Sequence, residues 1–418
     1  MWASGSAPRT APPVLDDARV IRLAVALFAV QAGFHGFTAA LPVALAQAGI
    51  PDPEIGLIVG IAALVQIPAA FVAGIVVDRL GGIRAFVAAG VAYLIGCAIL
   101  LAPGVEPGGP SWPFMLARVF QGVGIAASLP SALSLVPRMV EPARRGFSLA
   151  FVGSAHNLTI VIIPPLSLAV LAATSLHGVA LMTACIVVAG LLLFLAVPFR
   201  FRAADPDEDA AAGSIKVARR RLGFAYRGNW GPLIAIDLLF ITHWGVVTAF
   251  LPQRAEAAGA NVGLFFIADG VVVLLSRVPT GYFVDRVRPV VPILHGLVST
   301  SFAIVLLAMP PATPLLTAAG CLTGLGGAFV ITPLLVEMAR RSADADRGSA
   351  FSLLSAANAT ALAIGSIGGA VIVAASGFEA AILSTLIAMA GGALVASRDA
   401  ALRAEPPGRP TSAIARTA

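Results

Sequence analysis

Inside the long apolar runs of this sequence stand a few side chains able to bind an ion, carry a proton or hydrogen-bond a polar molecule. They are His35, Arg118, Gln121, His156 and Asn157 in the first half, and Asp237, His243, Asp269, Arg277 and Asn358 in the second. A charged group at the centre of a membrane span costs roughly 2.5–3.5 kcal/mol on insertion scales, so each needs a reason to be there. Arg118 and Gln121 are three positions apart and share a helix face. Asp237 lies seven residues past Trp230 and Arg277 eight before Asp285, so both lie roughly 10–12 Å in from the same membrane face. That equal depth predicts an Asp237–Arg277 ion pair, either a fixed structural one or one that opens when Asp237 takes a proton. His35 and His243 sit midway along their runs beside Phe34, Phe37 and Trp244. An imidazole there either meets a bound molecule or hydrogen-bonds between helices.

The elements that must position these groups are membrane-spanning helices. Hydrophobic residues make up 58% and charged residues 11% of the 418, against about 45–50% and 25% in soluble proteins. Mean hydropathy is +0.93. In hydrocarbon every backbone polar group must be paired within the segment, so spans of about 20 residues are helical. The first six spans are expected near Arg22–Gln47, Glu54–Val77, Ala85–Ala102, Trp112–Met139, from Gly146 to Ala172, and Val179–Phe199. Six more are expected near Trp230–Gln253, Val262–Val284, Val290–Met309, Pro314–Arg340, Ser349–Ala375 and Ala380–Ser397.

The net charge of +6 does not point to nucleic acid, because the basic residues are segregated. Of 27 Lys and Arg, only Arg118, Arg254 and Arg277 fall outside the segments assigned to the cytoplasm. The positive-inside rule then predicts both termini in the cytoplasm. The organisation expected is a disordered tail 1–18, a six-helix bundle 19–199, a cytoplasmic linker 200–228, a second six-helix bundle 229–397 and a disordered tail 398–418. The linker, acidic at Asp205–Asp209 and basic at Lys216–Arg221, reads as a tether or a regulatory segment. Cys97, Cys185 and Cys321 each lie in an apolar run and read as free thiols. No His-x-x-x-His metal pair, catalytic cluster or Gly-x-x-x-x-Gly-Lys loop is present, so neither an enzyme nor ATP as energy source is expected.

The chain repeats itself. Gly74-Ile75-Val76-Val77-Asp78-Arg79-Leu80-Gly81-Gly82-Ile83-Arg84 returns in degraded form at Gly281-Tyr282-Phe283-Val284-Asp285-Arg286, an offset of 207. Gly122 and Gly124 match Gly324 and Gly326, and Arg145-Gly146 matches Arg347-Gly348, both at 202. Thr38-Ala39-Ala40-Leu41-Pro42 matches Thr248-Ala249-Phe250-Leu251-Pro252 at 210, and His156 matches Asn358 at 202. Parallel repeats of this kind place a binding site where the halves face each other at mid-membrane.

The Gly74–Arg84 stretch resembles the signature loop of the major facilitator superfamily of secondary transporters. Arg118-Val119-Phe120-Gln121-Gly122-Val123-Gly124 resembles its second signature, in span four. The resemblance, nearest to bacterial 12-span efflux-type members, implies an all-α membrane protein of two pseudo-symmetric six-helix bundles. It implies transport of a small organic molecule by alternating access, without a cofactor, driven by an ion gradient expected to be of protons. Export of a hydrophobic or amphipathic compound by antiport is expected. Uptake by symport is the alternative, and a non-transporting sensor on the same scaffold a more distant one. His35, Arg118, Gln121, His156, Asn157, Asp237, His243, Arg277 and Asn358 are the expected substrate and proton pathway. In exporters the arginine matching Arg118 is thought to assist proton transfer; the plainer role is to orient hydrogen bonds between helices. Gly74, Asp78, Arg79, Gly81, Arg84, Gly281, Asp285 and Arg286 form the expected cytoplasmic latch, with Asp78 facing Arg347-Gly348; the alternative is that Arg79 and Arg84 only hold topology. Gly82 stands where the family often has a basic residue, and Ile162-Ile163-Pro164-Pro165 lacks the Gly-Pro run usual in span five of drug exporters. The expected setting is the bacterial cytoplasmic membrane, as a monomer, with lipid and a small-molecule substrate as partners and no nucleic acid.

Overall fold

The computed structural model describes residues 17–141, 144–197, 229–284, 286–342 and 347–404. The expected linker 200–228, Asp285 and most of both tails lie outside the described residues. All regular structure within them is helical. The first half comprises α1 (Ala18–His35), α2 (Ala40–Gln47), α3 (Asp52–Leu80), α4 (Gly82–Leu100), α5 (Trp112–Met139), α6 (Arg145–Ala173) and α7 (Leu176–Leu195). The second comprises α8 (Gly231–Ala257), α9 (Gly263–Val284), α10 (Val290–Leu307), α11 (Thr313–Arg341), α12 (Arg347–Ala363), α13 (Gly369–Arg398) and α14 (Ala400–Arg403), with a π-helical turn, Ile364–Gly368, between α12 and α13. Ten helical stretches are long and apolar enough to cross a membrane. One of them, Leu353–Arg398, is 46 residues long, and a shorter apolar stretch covers Gly263–Ser276.

Three local departures from the expected spans have plain causes. Span one is broken into α1 and α2, since Pro42 has no N–H to give the Thr38 carbonyl and the backbone tightens into Phe37 N–H to Phe34 O and Thr38 N–H to His35 O bonds, each 3.2 Å. The Asp78–Arg84 loop is no loop: α3 runs on through Leu80, and the chain reverses at Gly81 alone, whose φ of 82° is open to glycine. A side chain of the kind the family often carries at Gly82 would have to displace the Ser134 and Leu135 side chains, a methyl there sitting 2.9 Å from Leu135 Cδ2 and 3.0 Å from the Ser131 carbonyl. The last two spans join through another single residue, Gly377, at φ 84° and ψ 169°.

The duplicated glycines perform duplicated packing. A methyl added at Gly122 on α5 would lie 2.5 Å from the Ala62 carbonyl oxygen of α3. At Gly324 on α11 it would run into the Asp269 carbonyl of α9. Gly124 is closed by the Tyr93 ring of α4, and Gly326 by the Thr300 hydroxyl of α10. Ala62 and Tyr93 stand 207 positions before Asp269 and Thr300, so the partners repeat as the glycines do.

The two halves are sealed together at one end. At the end away from Asp17 and Asp399, Gln253 Nε2 donates to Asp52 Oδ1 across the halves at 2.7 Å. Leu41, Ile55, Ile58, Val247 and Phe250 share one core there. Gly60 on α3 lies against Ile367, and Gly263 and Gly270 on α9 lie against Pro165 and Val161 of α6. Toward the end bearing Asp17 and Asp399 contact lapses at two glycines on these helices: nothing lies within 4 Å of a methyl placed on Gly74 of α3 or Gly153 of α6.

Each half is tied at that parted end by an equivalent bond. Arg19 Nη2, itself gripped by Asp17, donates to the Met139 carbonyl at 3.1 Å; Trp230 Nε1 donates to the Arg341 carbonyl at 3.2 Å. Met139 and Arg341 are 202 apart and close α5 and α11. The tail expected to be disordered from residue 398 instead begins with α14, because Asp399 caps it through the Leu402 N–H at 3.0 Å. Arg341 clasps the same carboxylate with Nη1 at 2.9 Å and Nη2 at 3.1 Å. Burial pushes the Asp399 carboxyl up, but the hydrogen bonds from Arg341 and Leu402 outweigh it and leave the group below its ordinary 3.8.

Two stability measurements follow from this packing. Gly324→Val and Gly122→Val each drive a side chain into a neighbouring backbone, and should destabilise by about 1–3 kcal/mol or more, read as a lower melting temperature of the detergent-purified protein. Asp399→Ala removes the bidentate partner of Arg341 and leaves it only Glu337 at 3.5 Å and the Asn229 carbonyl at 3.0 Å, and should cost about 1.5–3 kcal/mol at neutral pH. Because the folded carboxyl titrates below 3.8, that contribution is present above this value and is lost as pH falls through the folded value. The melting-temperature gap between Asp399→Ala and the unaltered chain should therefore shrink below about pH 4.

Candidate functional site

Where the halves part, they enclose a cavity of about 390 Å³, within the roughly 300–1,000 Å³ of small-molecule sites. The break after His35 turns Phe34, His35 and Thr38 into it from α1. α3 contributes Gln66, α5 Arg118, and α6 His156 and Asn157. From the second half come His243 and Trp244 on α8, Asp269 on α9, Thr323 on α11, and Asn358 and Ser366 around the π-turn. That turn forms where α12 crosses α8 closely, the carbonyl of Leu362 lying 2.5 Å from a methyl placed on Gly245.

The wall from the first half carries positive and donating groups. Arg118 lies over the Phe34 ring at 4.7 Å, donates from Nη1 to Gln121 Oε1 at 2.7 Å and from Nη2 to the Val59 carbonyl at 3.3 Å. No described carboxylate is within ion-pair distance of it, and its Nε is buried without a partner. Behind the wall, Gln31 Nε2 donates to Ser128 Oγ at 3.3 Å, which turns Gln31 Oε1 toward His156. His156 Nδ1 therefore carries the proton it donates to that oxygen, at 2.6 Å. The His35 ring stands 5.6 Å from the His156 ring, and His35 Nε2 is buried without a partner.

The opposite wall carries acceptors. His243 Nδ1–H donates to the Phe240 carbonyl at 2.5 Å, which leaves Nε2 with its lone pair, buried and unpartnered. Asp269 is buried and makes no ion pair or hydrogen bond with a described residue. Trp244 is held by stacking on Phe265 at 6.0 Å and by the edge of Phe266 at 6.3 Å.

Of the residues read from the sequence as a pathway, His35, Arg118, His156, Asn157, His243 and Asn358 come together on this cavity. Gln121 sits behind Arg118 and does not line it. Asp237 also lies off the cavity, buried in α8, with Oδ2 unpartnered and no ion pair to a described residue. Arg277's side chain lies outside the described residues. In the latch, Arg79, Gly81 and Arg84 sit where α3 meets α4, Gly281 is in the last turns of α9 and Arg286 follows it; the side chain of Asp78, and Asp285 and Arg347, lie outside the described side chains. Gln66, Thr323 and Ser366 were missed as lining residues, being ordinary in a span; Asp269 carried the signal of an intramembrane charge but was not assigned a role.

The profile of the Major Facilitator Superfamily matches residues 23–268 and 247–416. No curated protein matches the chain by sequence. Solved structures share the fold. A POT family transporter in complex with a thioalcohol-conjugated peptide aligns at 14% identity over 90% of this chain and 94% of its own, with a TM-score of 0.71. A point mutant of the peptide transporter POT aligns at 16% over 91% and 94%, with 0.70. The human organic anion transporter MFSD10 (TETRAN) aligns at 17% over 90% and 99%, with 0.62. At such identities these likenesses speak for the fold alone, but the sequence profile spans nearly the whole chain: it belongs to the major facilitator superfamily, a family of membrane transporters and not of enzymes.

Proposed function

We propose that the chain exports hydrophobic or amphipathic organic molecules in exchange for protons, by alternating access across the bacterial cytoplasmic membrane. The observation that carries this reading is a cavity lined from both halves, with the halves sealed at one end and parted at the other. Twelve spans are counted by dividing Leu353–Arg398 at Gly377 and adding α9 to the other nine. With the arginine-rich ends of the helices in the cytoplasm, the cavity opens inward, the state that loads an exporter. Residues 19–199 and 229–397 are then the rocking bundles, and the Gly74–Arg84 and Gly281–Arg286 segments close on each other in the outward-facing state. Asp237 is the preferred proton carrier, since an intramembrane carboxyl away from the cavity and without an ion partner among the described residues is a functional position by default.

Uptake of a small organic solute is the second reading. It is favoured by the similarity to structures described as peptide transporters.

Everted vesicles holding a respiration-driven proton gradient, reported by a quenched pH dye, separate the two. Amphipathic compounds should discharge the gradient with the unaltered chain and not with Asp237→Asn. Discharge that survives Asp237→Asn removes Asp237 from coupling, and no discharge by any compound removes export by antiport. A disulfide between Asp52→Cys and Gln253→Cys, in a background without Cys97, Cys185 and Cys321, should lock the sealed end and abolish transport reversibly on reduction. Full transport with the crosslink formed would end the alternating-access reading.

A further inference from the structure

Arg118 and Asp269 are 3% and 7% exposed, line the same cavity, and have no ion partner among the described residues. An unpaired charge in that position is costly unless something else neutralises it. The repeat shows how they were placed. Most of the cavity wall is duplicated: Phe34 matches Trp244, Thr38 matches Thr248, and Ile160 matches Leu362. The two charges break that pattern. Arg118 matches Gly320, and Asp269 matches Ala62. Opposite charges have thus been set singly, one in each half.

Their surroundings sort by sign as well. A guanidinium has more N–H donors than the two Arg118 uses, and its Nε is free. Opposite it, the Asp269 carboxylate and the Nε2 lone pair of His243 are acceptors with no donor among the described residues. The faces of Phe240 and Trp244 beside them favour a cation. Between the two ends the wall is largely aromatic and aliphatic.

We propose that the cavity takes a zwitterionic amphipathic molecule, its anionic group held by Arg118 in the first half and its ammonium by Asp269 and His243 in the second. This rests on the cavity being the transport-substrate site. Both halves then grip one ligand, and its two charges take the place of the ion partners absent among the described residues.

The test is isothermal titration calorimetry on the full chain in lipid nanodiscs. The probes are 4-(2-aminoethyl)benzoate and 4-(4-aminobutyl)benzoate, each with its methyl ester, its N-acetyl form and its doubly blocked form. At least one zwitterion should bind about 10- to 100-fold tighter than either of its singly blocked forms. Arg118→Gln should erase the preference for a free carboxylate but not that for a free amine; Asp269→Asn should do the reverse. Arg118→Lys, which keeps the charge, should retain part of the carboxylate preference and shows that the site still folds. Blocked forms binding as well as the zwitterions at both lengths, or no binding by any probe to the folded unaltered chain, overturns the proposal. Zwitterions that bind without discharging the vesicle gradient would sink export and leave this inference standing. Neutral amphiphiles that bind and discharge it would do the opposite.

Discussion

Close backbone contact at absent side chains is the constraint on which the rest of this structure depends. In lipid the tails are as apolar as leucine, so helices gain little by merely hiding apolar surface from their surroundings, and association falls to packing and hydrogen bonds. Here Gly122 admits the Ala62 carbonyl and Gly324 the Asp269 carbonyl, while Gly245 admits that of Leu362. The contact at Asp269 is informative because one residue serves twice: its carbonyl beds against α11 while its carboxylate faces the cavity. Its chemistry is thus positioned by the packing of its own backbone, and a side chain at Gly324 would move both.

The duplication supplies a frame, and the function lies in the departures from it. The glycine contacts recur in both halves with equivalent partners, and so do the bonds from Arg19 to Met139 and from Trp230 to Arg341. The charged residues do not recur: where the first half has Arg118 the second has Gly320, pressed on the Phe265 carbonyl with no room for a side chain. A symmetric shell allows the halves to rock as equivalents, and an asymmetric lining gives the enclosed space a polarity.

Much of this was legible before the coordinates. The apolar runs located the helices within a few residues, because backbone in hydrocarbon has few alternatives to a helix. Ionisable and amide side chains in those runs led to six of the cavity residues, His35 and Arg118 among them. Depth along a span did not say which way a side chain faces, and so Asp237, at a plausible depth, proved to lie off the cavity. Nor does a linear pattern mark Gln66 or Thr323 as lining, since each becomes distinctive only once the opposite half is in place. The one-residue joins at Gly81 and Gly377 looked like loops because charge or a small residue interrupts the run, whereas the helices continue up to a single left-handed glycine.

The paired ties at the parted end have unequal characters. In the first half the tie depends on Arg19 and its partner Asp17, whose side chains are 32% and 19% exposed. In the second, an uncharged indole makes the bond, and the neighbouring Arg341–Asp399 pair is 9% and 1% exposed. Mobile counterions screen charges that water reaches and leave neutral or enclosed contacts nearly untouched. Rising ionic strength on the side these ends face would therefore loosen the first helix of one bundle while its counterpart stayed fastened, giving a molecule built on equal halves an osmotic sensitivity confined to one of them.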